Sequence, residues 1–282
     1  MTLIDLHTHS RASDGSCTPS ELVALAAQAK LSAVALTDHD TLAGLAEARE
    51  AGARYGLEVV PGVELSVADG DRSIHIVGLF LPDREGPLSE ALATLRAKRH
   101  DRNRQILAKL KQLGIPVEYE TVTALAQGAV GRPHIAQVML SMGAVGSFKE
   151  AFSRYLGNHG QAYVPKAKLE LARAMELLHA EGALVILAHP YMLGQSGQSL
   201  IDTVTRYRDL GLDGIEVFYT EHSQAQTLEY LALAKRLDLA LSGGSDFHGT
   251  AKPGVEIGRG RGHLRVESSI LEGLKARLAR KA

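Results

Sequence analysis

One cysteine, Cys17, occurs in 282 residues, so an intrachain disulfide is excluded and a reducing compartment suits the chain. An excess of charge of either sign is missing too. The 31 Lys and Arg against 32 Asp and Glu leave a net charge of −1, with no global field drawing the molecule to duplex DNA or an anionic membrane. No apolar run approaches the ~18 residues that cross a bilayer, and the first ten residues lack a basic stretch followed by an apolar one. A cytoplasmic location without a membrane partner is expected. Internal repeats and low-complexity segments are absent, and 45% hydrophobic with 22% charged residues is the ordinary usage of a folded globular chain. The length lies near the ~250 residues of a (β/α) barrel and leaves room for an insertion.

Short apolar, β-branched runs at 3–6, 33–36, 57–60, 74–80, 184–187, 214–218 and 239–241 alternate with longer helical patterns, which predicts βα units around a parallel sheet. Helix punctuation is explicit: Thr18-Pro19-Ser20-Glu21 forms a capping box with proline at the first helical position, opening a helix over 20–30. Gly56, Gly114, Gly182 and Gly211 stand where helices end. Between the runs at 74–80 and 184–187 the pattern is helical, without a convincing strand. The expected architecture is an α/β barrel built from residues 1–98 and 165–282, with an inserted all-helical subdomain at 99–164. The basic end, 274–282, reads as a solvated helix terminus.

What the chain has in quantity is histidine, 12 in all, and half of it falls in or just after the predicted strands, where a barrel places its chemistry. His7 and His9 follow the first run, on the same side of an extended strand, and Asp14 follows in a turn. Thr37-Asp38-His39 ends the second run, Gly62-Val63-Glu64 the third, His75 lies within the fourth, His189-Pro190 ends the fifth and Asp246-Phe247-His248 the last. Each piece alone is weak, since a lone histidine is often core and a lone aspartate often a helix cap. Together, nine convergent imidazoles and carboxylates would repel or stay unsatisfied without cations to hold them. At three to four protein ligands per ion, with one carboxylate bridging, nine suit two or three metals. Mixed nitrogen and oxygen ligands without thiolate fit manganese, iron or zinc, and manganese is the first expectation.

These residues resemble the PHP (polymerase and histidinol phosphatase) family of metal-dependent phosphoesterases, through His7-x-His9, Asp14, Thr37-Asp38-His39, Glu64, His75, His189-Pro190 and Asp246-x-His248. The resemblance implies a distorted (βα)7 barrel and a trinuclear site. In it His7, His9, Glu64 and Asp246 hold one ion, Glu64, His75 and His189 a second, and Asp14, His39 and His248 a third, with Glu64 bridging. The helical insertion resembles the nucleotide-directed branch of the family, which removes the 3′-phosphate of nucleoside 3′,5′-bisphosphates or trims short RNA from its 5′ end. The implied chemistry is attack of a metal-held hydroxide on phosphorus, with Glu64 and Asp246 in catalytic roles.

Within the insertion, Gly131-Arg132-Pro133-His134 opens a helix, where anions bind: Arg132 can grip phosphate bidentately and His134 can donate a hydrogen bond or the proton of a general acid. The run Lys98-Arg99-His100-Asp101-Arg102-Asn103-Arg104 reads first as a solvated face, with Arg99 and Arg102 as candidates for a second phosphate. Tyr219 and His222 are candidates for stacking on a base or ribose. Three other readings stand beside the bisphosphate phosphatase: a 5′-3′ exonuclease on short RNA, a histidinol-phosphate-type phosphatase, and a catalytically silent metal-stabilised interaction scaffold.

Overall fold

In the computed structural model, which describes residues 2–125 and 130–281, the apolar runs become strands and the amphipathic stretches helices. In chain order these are β1 (Ile4–Asp5), α1 (Pro19–Gln28), β2 (Ala33–Leu36), α2 (Leu45–Tyr55), β3 (Glu58–Asp69), β4 (Arg72–Leu79) and α3 (Pro87–Gln112). Then come α4 (Tyr119–Leu125), α5 (Arg132–Ser141), α6 (Phe148–Ala151), a π-helical turn (Phe152–Leu156), β5 (Leu169–Glu170) and α7 (Leu171–Ala180). The chain continues through β6 (Leu184–Leu187), α8 (Gly197–Asp209), β7 (Gly214–Tyr219), α9 (Gln224–Leu237), β8 (Ala240–Gly244) and α10 (Ser268–Ala279). Local chemistry explains the boundaries. Thr18 Oγ1 accepts from Glu21 N while Glu21 Oε2 accepts from Thr18 N, closing the capping box that starts α1.

The chain divides into two compact units, 1–90 with 169–282, and 91–168. In the first, the sheet runs β1-β2-β3-β4-β6-β7-β8, with the short β5 paired to β3. Its ends approach each other, since Leu6 N donates to Gly243 O at 3.1 Å and His9 N to Phe247 O at 2.8 Å, so seven strands make a nearly closed barrel. Ile4, Leu6, Ala35, Val60, Val77, Leu79, Leu184, Ile186 and Val266 are buried together, and Leu22, Val23, Ala26, Ala48 and Ala51 bury the inner faces of α1 and α2 with Val34 and Leu36. Of the basic C-terminal end, Ala282 lies outside the described residues.

Within the barrel unit the structure departs from βα alternation at the β3–β4 turn. β3 continues to Asp69 and turns through Gly70-Asp71 straight into β4, which pairs antiparallel with β3 and with β6. A parallel crossover needs a dozen residues or more, and two residues with glycine at φ 58° permit only a hairpin. Glu64 therefore lies inside a long strand rather than after a short one.

The second unit is helical and has its own core, in which Ile106, Leu110, Val122, Ile135, Met139 and Leu156 are buried. The charge run on α3 is not uniformly solvated. His100 and Arg104 are exposed, whereas Arg102 is 8% exposed and Asn103 is buried, its Nδ2 donating to Val130 O.

Candidate metal centre

Glu64 is the hub of the barrel unit. Its Oε1 lies 2.7 Å from His75 Nδ1 and 2.9 Å from His189 Nε2, while Oε2 lies 3.0 Å from His39 Nδ1, 3.2 Å from His9 Nε2 and 3.3 Å from His7 Nε2. Asp246 Oδ1 stands 3.2 Å from His9 Nε2, and Asp14 Oδ1 3.3 Å from His248 Nε2. All nine residues singled out at strand ends are brought together. They fall into overlapping donor groups, each with atoms within 4.8 Å of one another: His9, Asp14, His39 and His248; His7, His9 and Asp246; His7, Glu64 and His189; His39, Glu64 and His75.

The surrounding backbone makes this convergence possible. Gly244, at the end of β8, touches His7, where any Cβ would collide with the His7 backbone, and Asp246 N donates to His7 O at 2.8 Å. His189 and Asp246 occupy left-handed conformations, φ 28° and 55°, which turn their side chains inward at a steric cost. Asp38, between Thr37 and His39, holds the loop that carries His9 and Asp14 by accepting from Ser10 N, Ser10 Oγ and Ser13 Oγ.

Electrostatics point the same way. Burial by itself would raise the Glu64 and Asp246 carboxyls, yet the imidazoles around them hold both well below the usual range. Burial by itself would lower His9, yet Asp246 and Glu64 lift it to about 10, and Glu216, Glu64 and Asp246 likewise raise His7. His39 is pushed down to about 4 by burial, assisted by neighbouring His9 and His75 and opposed by Glu64 and Asp14. Five deeply placed atoms, His7 Nε2, both His9 ring nitrogens, His39 Nδ1 and Glu64 Oε2, have no hydrogen-bond partner. Buried polar atoms are rarely left so, and atoms of these types converging at this spacing fit divalent cations. The donor set therefore suits a metal centre.

Three residues around the centre have functions that the strand-end pattern did not disclose. Glu216, buried on β7, accepts from His189 N at 2.6 Å and pairs with His7 Nδ1 at 2.9 Å. Its signal was one carboxylate inside an otherwise apolar strand. Tyr219 OH donates to Asp246 Oδ2 at 2.8 Å, and Lys252 Nζ lies 2.7 Å from the same oxygen, so both hold that side of Asp246. Tyr219 is thus engaged with Asp246. His222 is buried, bonded through Nδ1 to Val217 O and packed edge-on against Tyr191 and Tyr230, and burial lowers its affinity for a proton.

The remaining sequence candidates lie in the helical unit. Arg99 and Arg102 are on α3, and Arg132, Pro133 and His134 form the first turn of α5. Arg102 donates to Val164 O at 2.8 Å and Arg132 to Leu156 O at 2.9 Å, main-chain carbonyls rather than carboxylates. Burial lowers the Arg102 guanidinium, and Arg132 and Arg99 add to the effect. His134 Nδ1 accepts from Gly131 N, which places the hydrogen of the neutral ring on Nε2.

Residues 5–185 match the PHP domain family. The chain belongs to that family. It is similar to a 5′-3′ exoribonuclease of Haemophilus influenzae, 38% identical over 244 residues covering 86% of this chain and 89% of that one. It is also similar to a 3′,5′-nucleoside bisphosphate phosphatase of Chromobacterium violaceum, 34% identical over 285 aligned positions covering 100% of each chain. Among solved structures, a protein of Bifidobacterium adolescentis inferred to be a metal-dependent phosphoesterase superposes with a TM-score of 0.83 at 29% identity, over 98% of this chain and 96% of that chain. The protein is a metal-dependent hydrolase of phosphoester bonds.

Proposed function

We propose that the protein removes the 3′-phosphate from nucleoside 3′,5′-bisphosphates and leaves the 5′-monophosphate. In this reading His7, His9, Glu64 and Asp246 would hold one divalent ion, Glu64, His75 and His189 a second, and Asp14, His39 and His248 a third, with manganese as the proposed ion. When bound, the ions supply a nucleophile at neutral pH and neutralise phosphate oxygens. The chain's own contribution is to aim them. Glu64 is shared through both oxygens, and Asp246 turns Oδ1 inward because Tyr219 and Lys252 occupy Oδ2.

The observation that carries the choice of a bisphosphate is the guanidinium group of the helical unit. Arg102 is almost buried beside two further arginines, its Nε donates to a carbonyl, and no carboxylate pairs with it among the described residues. A substrate with a second phosphate supplies the missing anion, with Arg99, Arg102 and Arg132 as its cations and Pro133 fixing the turn that presents Arg132. In the same reading His134 offers its Nε2 hydrogen to a phosphate, while His222, buried against Tyr191 and Tyr230, packs beside the centre and does not stack on a nucleoside. The full-length similarity to the C. violaceum phosphatase supports the same substrate class.

The test is phosphate release from adenosine 3′,5′-bisphosphate with added manganese, run beside 5′-AMP, histidinol phosphate and a short 5′-phosphorylated RNA. Rapid release with 5′-AMP as product is expected. Activity confined to the RNA would transfer the assignment to a 5′-3′ exonuclease, the reading that the 38% identity to the H. influenzae protein favours.

A further inference from the structure

We propose that Glu216 is a positioning residue that decides which nitrogen His7 offers to the metal centre. The inference rests on the reading of His7 as a metal ligand. A carboxylate only accepts, so at 2.9 Å from Glu216 Oε1 the His7 Nδ1 carries a hydrogen, and Nε2, which faces Glu64 Oε2 and Asp246 Oδ1, is the nitrogen left to offer a lone pair once a cation displaces its proton. That Nε2 is one of the buried atoms without a hydrogen-bond partner. The other oxygen of Glu216 is engaged as well. It accepts the main-chain hydrogen of His189, at 2.6 Å, and His189 is the ligand candidate whose backbone sits at φ 28°. One side chain, 2% exposed, thereby ties the His7 ring and the His189 backbone to β7, the strand next to β6. Carboxylates that fix the far nitrogen of a ligating histidine commonly control metal affinity.

Replacing the carboxylate by its amide makes the argument testable. In Glu216→Gln the His189 hydrogen still requires an acceptor, so the amide oxygen stays on that side. The amide nitrogen then faces His7 Nδ1, which must become the acceptor, and the ring hydrogen moves to Nε2, the nitrogen that faces the centre. A group that served only to fill space would tolerate the isosteric Gln better than Ala. The tautomer argument demands the reverse order, because in Glu216→Ala a water can take the place of Oε1.

Zinc, being diamagnetic, is the probe. Calorimetric titration of the full chain is expected to show about 10- to 100-fold weaker zinc binding in Glu216→Gln, and a loss no greater in Glu216→Ala. Far-ultraviolet circular dichroism of both variants should match the parent. In the parent itself, long-range 1H–15N correlation of the zinc-loaded protein should show the His7 hydrogen on Nδ1 and zinc on Nε2. The opposite assignment would overturn the proposal without recourse to any variant. Glu64→Gln separates the two layers of the argument: if it weakens zinc binding while Glu216→Gln binds like the parent, the positioning role fails alone. If neither variant changes zinc binding, the metal-ligand reading fails and the positioning role falls with it.

Discussion

Glu64→Gln is the most demanding perturbation, because it preserves shape and deletes one charge from a carboxylate with five imidazole nitrogens within 3.3 Å. Loss of an outer partner of a ligand costs about 10- to 100-fold in metal affinity, so loss of a shared ligand costs at least the upper figure. The barrel unit has about 200 residues, which gives an unfolding entropy of about 0.4 kcal/mol/K near the midpoint. An ion present at one hundred times its dissociation constant stabilises the folded state by about 2.7 kcal/mol, equivalent to about 6 °C in Tm. With affinity reduced one-hundredfold at the same concentration, the gain shrinks to about 0.4 kcal/mol, or about 1 °C. Thermal melts of chelator-stripped protein with and without manganese measure this increment, and elemental analysis with phosphate-release assays should show metal content and turnover lost together. A variant that kept its metal, its thermal increment and its activity would refute the shared-carboxylate argument.

Arg132→Ala should raise KM for the bisphosphate by about 10- to 100-fold, the worth of a charge-assisted hydrogen bond, with manganese content unchanged; identical kinetics would remove Arg132 from substrate binding. In the helical unit, Ile106→Ala should cost about 2–5 kcal/mol in urea unfolding, because Ile106 is fully buried among Leu110, Ile135 and Leu156; a loss under about 1 kcal/mol would show that this core is not closely packed. His9 has its proton affinity raised from 6.5 to about 10, so the stability it lends the metal-free protein is complete below about pH 6.5 and disappears as pH rises through about 10. A cation must displace that proton. Manganese affinity should therefore climb with pH across neutrality and release protons that calorimetry in buffers of different ionisation heat detects, whereas a pH-independent affinity would contradict the assignment.

The candidate metal centre is legible because its donor residues occur as short polar insertions next to apolar runs, and a barrel gathers such ends at one rim. Period-two alternation placed His7 and His9 on one side in advance. Glu64 is legible for an incomplete reason: the Gly62-Val63-Glu64 segment reads as a strand end, whereas β3 runs on to Asp69 and Glu64 faces inward from its middle. The hairpin at Gly70-Asp71 escaped notice because a charged stretch between two β-rich runs gives no direction of pairing unless the turn dipeptide is weighed. Glu216 was hidden for a different reason. A lone acid in an apolar strand looks the same whether it points to solvent or holds two histidines, and only the closed sheet decides. Arg102 shows the converse, since a run of charges on a helix does not reveal which member is turned inward.

The left-handed backbone at His189 and Asp246 bears on any attempt to make this protein more robust. Non-glycine residues in that region cost on the order of 1–3 kcal/mol each, so these are two of the positions where glycine would relax the chain. Each such replacement would also delete a donor facing the centre. A directed-evolution campaign selecting on heat resistance alone, in chelator, would thus be rewarded for dismantling the rim, and its survivors would be sturdier barrels that no longer cleave anything. Selection on turnover after heating would hold both positions in place and push the gains elsewhere.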